Sequence, residues 1–268
     1  MKTAIFLSVR DKATRLPGKV LLEIKGKPVI EHLIDRLKKA RLPDIIVMTT
    51  SMHPDDAHLV AIAERNQIGW FRGSEDDKLQ RYLDAADKYG IDFIAVVDGD
   101  DIFCDPVYID RVIEAFLESG ADYITCEGLP LGVTSFGVRV EALRNVCRLK
   151  AETDTEVWGG YFTETGLFST LSLEVEERYR RPDLRMTLDY PEDFAFFEAV
   201  FEKLWRPGKV FSLDEIIQLL DRHPEIVALN QEVQQLYAHH IQSAGPVRLK
   251  EDAITADQVH NPRRITTQ

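Results

Sequence analysis

Short apolar segments of strand-like composition alternate with longer amphipathic segments over the first half of the chain. The apolar segments predict strands at 3–7, 44–49, 70–71, 93–97 and 123–126. Helical spacing of apolar residues predicts helices between them at 28–37, 54–66, 76–89 and 105–119. Strands and helices that alternate in this way build a mostly parallel sheet with helices on both faces, so we predict an α/β fold.

The second half of the chain departs from this rhythm. Residues 135–140 alternate in polarity and glycines interrupt 158–162, so we expect a small sheet extension or lid that houses a second substrate. Further helices are predicted at 191–204, 212–220 and 224–237. The predicted organisation is one domain over 1–240, with an acceptor or lid region at 133–185 and C-terminal helices at 191–240, followed by an extended or mobile tail at 241–268.

Composition excludes several classes of protein. The formal net charge of -12 argues against nucleic acid or an anionic membrane as a partner, because basic surfaces bind both. The chain has no run of about eighteen apolar residues, and Met1-Lys2 leads directly into a predicted strand, so we expect a soluble, cytoplasmic protein without a leader. Three widely spaced cysteines without a C-x-x-C pair indicate free thiols.

A basic loop at 8–19, Ser-Val-Arg-Asp-Lys-Ala-Thr-Arg-Leu-Pro-Gly-Lys, follows the first predicted strand. It leaves the carboxyl end of that strand, where α/β proteins bind ligands. Arg10, Arg15 and Lys19 repel one another unless an anion lies among them, and a triphosphate suits two guanidinium groups and an ammonium. Valine follows Lys19 where a P-loop needs Ser or Thr, so this is not a P-loop. The alternative is a solvated basic loop, against which the turn-forming Pro-Gly pair at 17–18 argues.

Acidic residues complete the predicted site. Asp98-Gly-Asp100-Asp101 follows the strand at 93–97, and carboxylates crowded at a strand end favour Mg²⁺ or Mn²⁺ as a neutralising cation. Asp189 follows a short predicted strand at 185–188 and is a second metal candidate. An acidic turn and a helix N-cap are the respective alternatives. Repulsion within the cluster predicts that an Asp→Asn change at either metal position raises thermostability without metal.

The 8–19 loop resembles the nucleotide loop of the cytidylyltransferases that activate acidic sugars, the CMP-3-deoxy-octulosonate and CMP-sialate synthetases. The resemblance to the spore coat polysaccharide cytidylyltransferases is closer, and the segments 71–74, 97–100, 188–193 and 212–217 carry it in order. It spans residues 3–230 and implies a nucleotide-diphospho-sugar transferase-like fold, which is related to the Rossmann fold. We also expect a homodimer.

The resemblance implies a role for each group of residues. It implies catalytic roles for Arg10, Arg15, Lys19, Asp100 and Asp189, and makes Asp100 and Asp189 the metal ligands. The implied nucleotide-binding set is Leu7, Ser8, Arg10, Arg15, Lys19, Arg72, Ser74, Asp77 and Asp98. The residues alone allow another interpretation, in which Ser74 and Asp77 form a capping box and Arg81 is a solvated helix residue.

The second substrate is expected beside the 133–185 region. Arg185, Tyr161 and Glu164 are the candidate acceptor-binding residues, and core packing or an ion pair with a neighbouring acid is the alternative. The function that the resemblance implies is transfer of CMP from CTP to an acidic sugar, sugar phosphate or phosphonate, with release of pyrophosphate, for surface polysaccharide synthesis. A glycosyltransferase that uses Asp98-Gly-Asp100 as a D-x-D motif and a non-catalytic nucleotide-binding module stay open as alternatives.

Overall fold

The computed structural model of the protein describes residues 1–11, 15–234, 236 and 245–250. In this part of the chain the strands are β1 (Thr3–Ser8), β2 (Glu23–Ile24), β3 (Lys27–Pro28), β4 (Ile45–Ser51), β5 (Gly69–Gly73), β6 (Phe93–Asp98), β7 (Tyr123–Cys126), β8 (Phe136–Arg139) and β9 (Thr170–Leu173). The α-helices are α1 (Val29–Leu37), α2 (Ala57–Arg65), α3 (Lys78–Tyr89), α4 (Pro106–Ser119), α5 (Val140–Leu149), α6 (Gly160–Thr163), α7 (Pro191–Leu204), α8 (Leu213–Arg222) and α9 (Pro224–Val227).

Seven of these strands form one sheet in the order β5–β4–β1–β6–β8–β7–β9. β1 pairs in parallel with β4 and β6, β4 with β5, and β7 with β9, whereas β8 is antiparallel to both of its neighbours. The predicted mostly parallel sheet is therefore confirmed. β2 and β3 form a separate antiparallel pair.

The central strand β1 is buried on both faces, because its side chains alternate between two apolar cores. Ile5 and Leu7 pack in the core that α1 and α4 cover. Ala4 and Phe6 pack in the core that α3 and α5 cover. The expected placement of helices on both faces of the sheet is thus confirmed.

The alternating segment at 135–140 is only partly a strand. β8 ends at Arg139, and α5 begins at Val140. Val140, Leu143 and Val146 recur at helical spacing and are buried, so the helical period prevails from Val140 onward. This helix was not predicted from the sequence.

The segment before α7 is extended but is not a strand. Arg185 forms one isolated parallel bridge with Leu131, and residues 186–189 belong to no strand of the described chain. The prediction of a strand at 185–188 is therefore wrong. Gly132 permits the contact between the two segments: it has a φ of +87°, and a Cβ there would lie 2.3 Å from the carbonyl oxygen of Met186.

The strand order places the ligand-binding edge of the sheet between β1 and β6. From β1 the sheet extends to β4 and β5 on one side and to β6 on the other, which is a topological switch point. Ser8 and Asp98 end the two strands and lie opposite each other in the register. The loops that follow β1 and β6 therefore meet at one edge of the sheet.

The predicted tail at 241–268 is described only over residues 245–250, and the remainder lies outside the described residues. Leu249 forms an antiparallel bridge with Lys150 at the end of α5, and the amide of Ala151 donates to the carbonyl of Arg248 at 3.0 Å. Within the described ranges, no helix combines the length and the apolar character needed to cross a lipid bilayer. The predicted domain boundaries stay predictions.

Candidate active site

A cavity of about 350 Å³ lies where the loops after β1 and β6 meet. Gly99 is required in the β6 loop, because a Cβ at this position would lie 2.8 Å from the Cβ of Val9. The charged side chains that line the cavity are Arg10, Arg15, Lys19, Lys78, Arg81, Asp98, Asp100, Asp101, Glu156 and Asp189.

Lys19 joins two carboxylates from distant segments of the chain. Its Nζ lies 2.6 Å from Oδ2 of Asp100 and 2.9 Å from Oδ1 of Asp189. Gly18, at a φ of 67°, makes the turn from which the short 3-10 helix beginning at Lys19 starts, so the turn predicted there is confirmed. The amide of Leu188 donates to the carbonyl of Asp100 at 2.9 Å, which also ties the two segments through the main chain.

Three cations surround the carboxylate of Asp189. In addition to Lys19, Arg15 donates to Oδ1 at 2.9 Å and Arg185 donates to Oδ2 at 3.1 Å. Burial alone would raise the pKa of Asp189, but attraction to Lys19 and Arg15 outweighs it and lowers the pKa to about 2. Burial likewise opposes the charge on Lys19, but attraction to Asp100 and Asp189 raises its pKa. Lys19 and Asp189 are therefore charged at neutral pH.

A buried network of hydrogen bonds supports Asp189. Nε and Nη2 of Arg185 donate to the two carboxylate oxygens of Asp193 at 2.8 and 2.9 Å. Oδ2 of Asp193 also accepts from the amides of Asp189 and Tyr190, at 2.9 and 3.0 Å. Nδ2 of Asn230 donates to the other oxygen of Asp193 at 2.9 Å. Because the side chains of Arg185 and Asp193 are 1% and 0% exposed, this network fixes the segment that carries Asp189.

A second set of ion pairs surrounds Glu156. Nη2 of Arg10 lies 2.7 Å from Oε2 of Glu156, and Nζ of Lys78 lies 3.8 Å from Oε1. Lys78 also pairs with Asp98 at 2.7 Å. Burial would lower the pKa of Lys78, but attraction to Asp98 raises it. Sequence reasoning does not identify Lys78 or Glu156 as site residues. Lys78 begins the helix that follows β5 after a four-residue loop, a position from which a side chain can reach the site.

Arg81 and Asp101 are desolvated titratable groups in the same cavity. Arg81 is only 1% exposed, so the interpretation of it as a solvated residue is wrong. Its Nη1 donates to the carbonyl of Ser74 at 2.6 Å, while its buried Nε has no hydrogen-bond partner among the described residues. Burial lowers the pKa of Arg81. Burial, followed by the charges of Asp100 and Asp98, raises the pKa of Asp101.

The structure brings most of the predicted catalytic and nucleotide-binding residues together. Those that line the cavity are Ser8, Arg10, Arg15, Lys19, Asp98, Asp100 and Asp189.

Four residues of the predicted nucleotide-binding set lie outside the cavity lining, namely Leu7, Arg72, Ser74 and Asp77. Leu7 is fully buried in the core, and Arg72 donates to the carbonyls of Ser51 and His53. Asp77 is the N-cap of α3 and accepts from the amide of Gln80 at 3.0 Å. The side chains of Ser74 and Asp77 therefore serve the start of α3, with Asp77 rather than Ser74 as the cap.

The three predicted acceptor-binding residues also lie outside the cavity lining. Tyr161 is 2% exposed and packs in the core that α3 and α5 cover. Glu164 is exposed at the end of α6. Arg185 is committed to Asp193 and Asp189, which is the ion-pair alternative stated above. Thr134 and Phe136 are the residues of the 133–185 region that line the cavity together with Glu156 and Val157.

Asp100 and Asp189 are suited to a hard divalent cation. Within residues 1–11, 15–234, 236 and 245–250, no three or more His, Cys, Asp or Glu side chains are grouped as a metal site. Mg²⁺, however, is commonly bound by only one or two carboxylates together with water and substrate phosphates. Two carboxylates that already share one ammonium group meet this requirement.

The cavity lies at the switch point of the sheet, where open α/β proteins bind ligands, and Lys19 of the β1 loop meets Asp100 of the β6 loop there. The sequence pattern of the cytidylyltransferase family matches residues 4–211, and the chain belongs to this family. It is therefore a nucleotidyltransferase, and the family resemblance found in the sequence is confirmed.

Known proteins resemble this chain over most of its length. The spore coat polysaccharide biosynthesis protein SpsF of Bacillus subtilis is 30% identical over 226 residues, which cover 82% of this chain and 94% of SpsF. A 3-deoxy-manno-octulosonate cytidylyltransferase of Geotalea daltonii is 27% identical over 172 residues, covering 62% of this chain and 63% of that protein. The solved structure of a cytidylyltransferase from Leptospira borgpetersenii matches with a TM-score of 0.78 at 25% identity, covering 85% of this chain and 97% of that one.

Proposed function

We propose that the protein transfers CMP from CTP to a small anionic acceptor and releases pyrophosphate. The observation that carries this proposal is the position of Lys19, whose Nζ lies 2.6 Å from Asp100 and 2.9 Å from Asp189 at the switch-point edge of the sheet. A cation of the β1 loop and two carboxylates from separate segments are held at one point, which suits a metal-bound triphosphate. Membership of the cytidylyltransferase family supports CTP as the donor.

In the proposed reaction an oxygen of the acceptor attacks the α-phosphorus of CTP in line. A bond forms between that oxygen and the α-phosphorus, and the bond from the α-phosphorus to the oxygen that bridges to the β-phosphorus breaks. Pyrophosphate leaves with its electron pair, CMP stays on the acceptor, and the proton of an attacking hydroxyl passes to solvent. Arg10, Arg15 and Lys19 hold the β- and γ-phosphates, whose charge grows during the step. Neighbouring acids raise the pKa values of Arg15 and Lys19, so both remain protonated throughout.

Asp100 and Asp189 would hold Mg²⁺, with Mn²⁺ as the alternative cation. When bound, the metal ion supplies positive charge next to the reacting phosphate. Nζ of Lys19 pairs with both carboxylates, so in the proposed complex its ammonium group is shared between them and a phosphate. The buried pair of Arg185 and Asp193 keeps Asp189 in place during this exchange.

The remaining walls of the cavity are assigned to the nucleoside and the acceptor. Ser8, Asp98, Lys78 and Arg81 lie at the ends of β1 and β6 and at the start of α3, and we assign them to the nucleoside side. The acceptor then enters beside the segment from Leu131 to Phe136, which contributes to the cavity but belongs to neither the β1 loop nor the β6 loop. The 3-deoxy-manno-octulosonate cytidylyltransferase of Geotalea daltonii supports an acidic sugar as the acceptor, and the spore coat polysaccharide biosynthesis protein of Bacillus subtilis supports a role in surface polysaccharide synthesis.

The glycosyltransferase alternative requires Asp98 and Asp100 to act as one D-x-D metal site. Asp98 pairs with Lys78, whereas Asp100 pairs with Lys19, so the two carboxylates serve different cations. Asp100 shares its cation with Asp189 instead. This arrangement favours nucleotidyl transfer over glycosyl transfer.

The proposal is tested by measuring pyrophosphate release with CTP, Mg²⁺ and a panel of acidic sugars, sugar phosphates and phosphonates. The expected result is release that depends on one acceptor and on the divalent cation, with a CMP-linked product in equal amount. A glycosyltransferase would instead consume a nucleotide sugar and release a nucleoside diphosphate. Tight CTP binding without turnover of any acceptor would indicate a binding module. Cytoplasmic location and a homodimer stay predictions.

A further inference from the structure

A second cavity, of about 400 Å³, lies between α1 and the segment that joins α7 to α8. It borders the same loop as the active site, because Asp100 and Asp101 line the first cavity and Ile102 lines the second. Its lining includes the cations Lys25, Lys27, Arg36, Lys38, Lys39 and Lys209. Asp35 is its only acidic lining residue within the described chain. This concentration of positive charge stands out in a chain with a net charge of -12.

Two of the six cations are neutralised by carboxylates. Lys27 pairs with Asp35 at 2.5 Å, and Lys25 pairs with Glu202. The other four, Arg36, Lys38, Lys39 and Lys209, form no ion pair with any residue that the structure describes. The active-site cavity differs in this respect, since each of its phosphate-loop cations has a carboxylate partner.

Arg36 is the group that most needs a further partner. It is 3% exposed, and its one hydrogen bond to a described residue is donated by Nη2 to the carbonyl of Phe211 at 2.8 Å. Its guanidinium also lies over the rings of Phe103 and Phe211, with centroids at 5.6 and 5.1 Å. Burial lowers the pKa of Arg36 to about 10, so the group is still charged at neutral pH. Asp105 and Glu215 attract this charge from a distance, but neither forms an ion pair with it. Because a buried charge is stabilised best by a direct partner, the arrangement favours an anion in the cavity.

We propose that the second cavity binds a small phosphate-bearing anion, with the buried Arg36 and the exposed Lys38, Lys39 and Lys209 as its binding groups. A guanidinium fork and several ammonium groups match the oxygens of a phosphate or diphosphate. The volume lies within the range of small-molecule sites, about 300–1,000 Å³.

The aromatic wall of this cavity narrows the class of ligand. Phe201 and Trp205 line it beside the cations, and Phe201 lies 4.6 Å, centroid to centroid, from the His32 ring. A phosphate ester with a flat or apolar body would use both the aromatic rings and the cations. The ligand has two conceivable sources, the enzyme's own CTP or pyrophosphate and a different phosphorylated metabolite.

Isothermal titration of the full chain with pyrophosphate tests the proposal. The wild type is expected to bind at two sites, and Lys19→Ala is expected to keep one of them, because this change weakens only the active site. In a protein that carries Lys19→Ala, the added double change Lys38→Glu and Lys209→Glu should lower the pyrophosphate affinity of the remaining site at least tenfold. Lys203 is an exposed lysine of α7 outside the cavity lining, and the matched control Lys203→Glu should change that affinity less than twofold.

A single site that disappears with Lys19→Ala would overturn the proposal, as would equal weakening by the paired change and by Lys203→Glu. Addition of CTP separates the two sources of the ligand. Competition by CTP at the site that survives Lys19→Ala identifies the enzyme's own substrate as the ligand. Pyrophosphate binding without such competition shows instead a site for a smaller phosphate compound, either the pyrophosphate product or another phosphorylated metabolite. Acceptor-dependent CMP transfer by the variant that carries Lys38→Glu and Lys209→Glu reports separately on the proposed function.

Discussion

The two sets of ion pairs in the active-site cavity differ in how firmly they are held. Behind Asp189, the Arg185 and Asp193 side chains are 1% and 0% exposed and are tied to the main chain. Around Glu156, the carboxylate that connects Arg10 with Lys78 is 53% exposed. It lies between α5 and α6 on a segment without helix or strand.

Because of this difference, the two sets of ion pairs can serve different roles in the cavity. Breaking a buried pair costs about 3–5 kcal/mol, whereas an exposed pair contributes about 0–1 kcal/mol. The ion pairs around Asp189 are therefore fixed. Transfer of a nucleotidyl group requires this, because the attacking and leaving oxygens must be placed precisely. The Glu156 set can rearrange when a ligand enters.

Asp100→Asn and Asp189→Asn should each lower kcat/KM at least about 1,000-fold, because each removes a carboxylate proposed to hold the metal and a partner of Lys19. Steady-state pyrophosphate release with Mg²⁺ varied measures the effect. The exposed pair of Asp183 with Arg181 provides the matched control, Asp183→Asn, which should be near wild type. Full activity of either active-site variant at limiting Mg²⁺ would remove that residue from the metal site.

The same Asp189→Asn variant should be less stable than the wild type, by about 3 kcal/mol. The sequence predicts the opposite, since it shows only neighbouring acids. The structure reverses the sign, because Lys19, Arg15 and Arg185 all pair with this carboxylate and would lose it. Urea unfolding without metal measures the change, and an increase in stability would restore the repulsion argument.

Lys19→Ala should weaken CTP use by about tenfold to 1,000-fold, the scale of one charge-assisted contact worth about 1.5–4 kcal/mol. Kinetics at low CTP, with circular dichroism to confirm folding, measure this loss. Lys203→Ala removes an exposed lysine as the control. Wild-type kinetics of Lys19→Ala would contradict the phosphate-loop assignment.

Arg185→Leu should lower kcat about 10- to 100-fold and raise the Mg²⁺ concentration needed for half-maximal rate, because Asp189 loses the group that positions it. Arg185→Lys should recover part of the loss through one remaining ion pair. The KM for the acceptor separates this role from the direct contact predicted from the sequence. A large rise in acceptor KM with an unchanged Mg²⁺ requirement would favour direct contact.

Glu156→Gln should have the smallest effect, below about tenfold, and mainly in the KM for CTP, since it weakens only an exposed contact to Arg10 and Lys78. Glu127→Gln, at an exposed position outside the cavity lining, is the control. A loss as large as that of Asp189→Asn would show that the two sets of ion pairs are equally fixed.

Local patterns account for what the sequence predicts well. The strands near the switch point are short apolar runs, and the loops that leave β1 and β6 place Lys19 and Asp100 at the same edge in any parallel sheet. Asp189 is distant from both residues in sequence but lies beside them in the structure. The sequence predicts this proximity only through the family resemblance.

Long-range packing accounts for what the sequence does not predict. The spacing of apolar residues on α3 places Arg81 in solvent. It is buried and lines the site only because other parts of the fold pack over α3. The sequence predicts Arg185 as an acceptor-binding residue on a strand at 185–188. The observed turn into α7 instead presents Asp193 to it at 2.8 Å. Glu156 lies on a segment without periodicity, so no local pattern marks it.

A crystal structure of the complex with CTP and Mg²⁺ would show the phosphate site and the metal site together. We expect the β- and γ-phosphates in contact with Lys19 and Arg15, and a metal ion bound by Asp100 and Asp189 next to the α-phosphate. Triphosphate density away from these residues, or a metal ion held by Asp98 and Asp100 without Asp189, would contradict it.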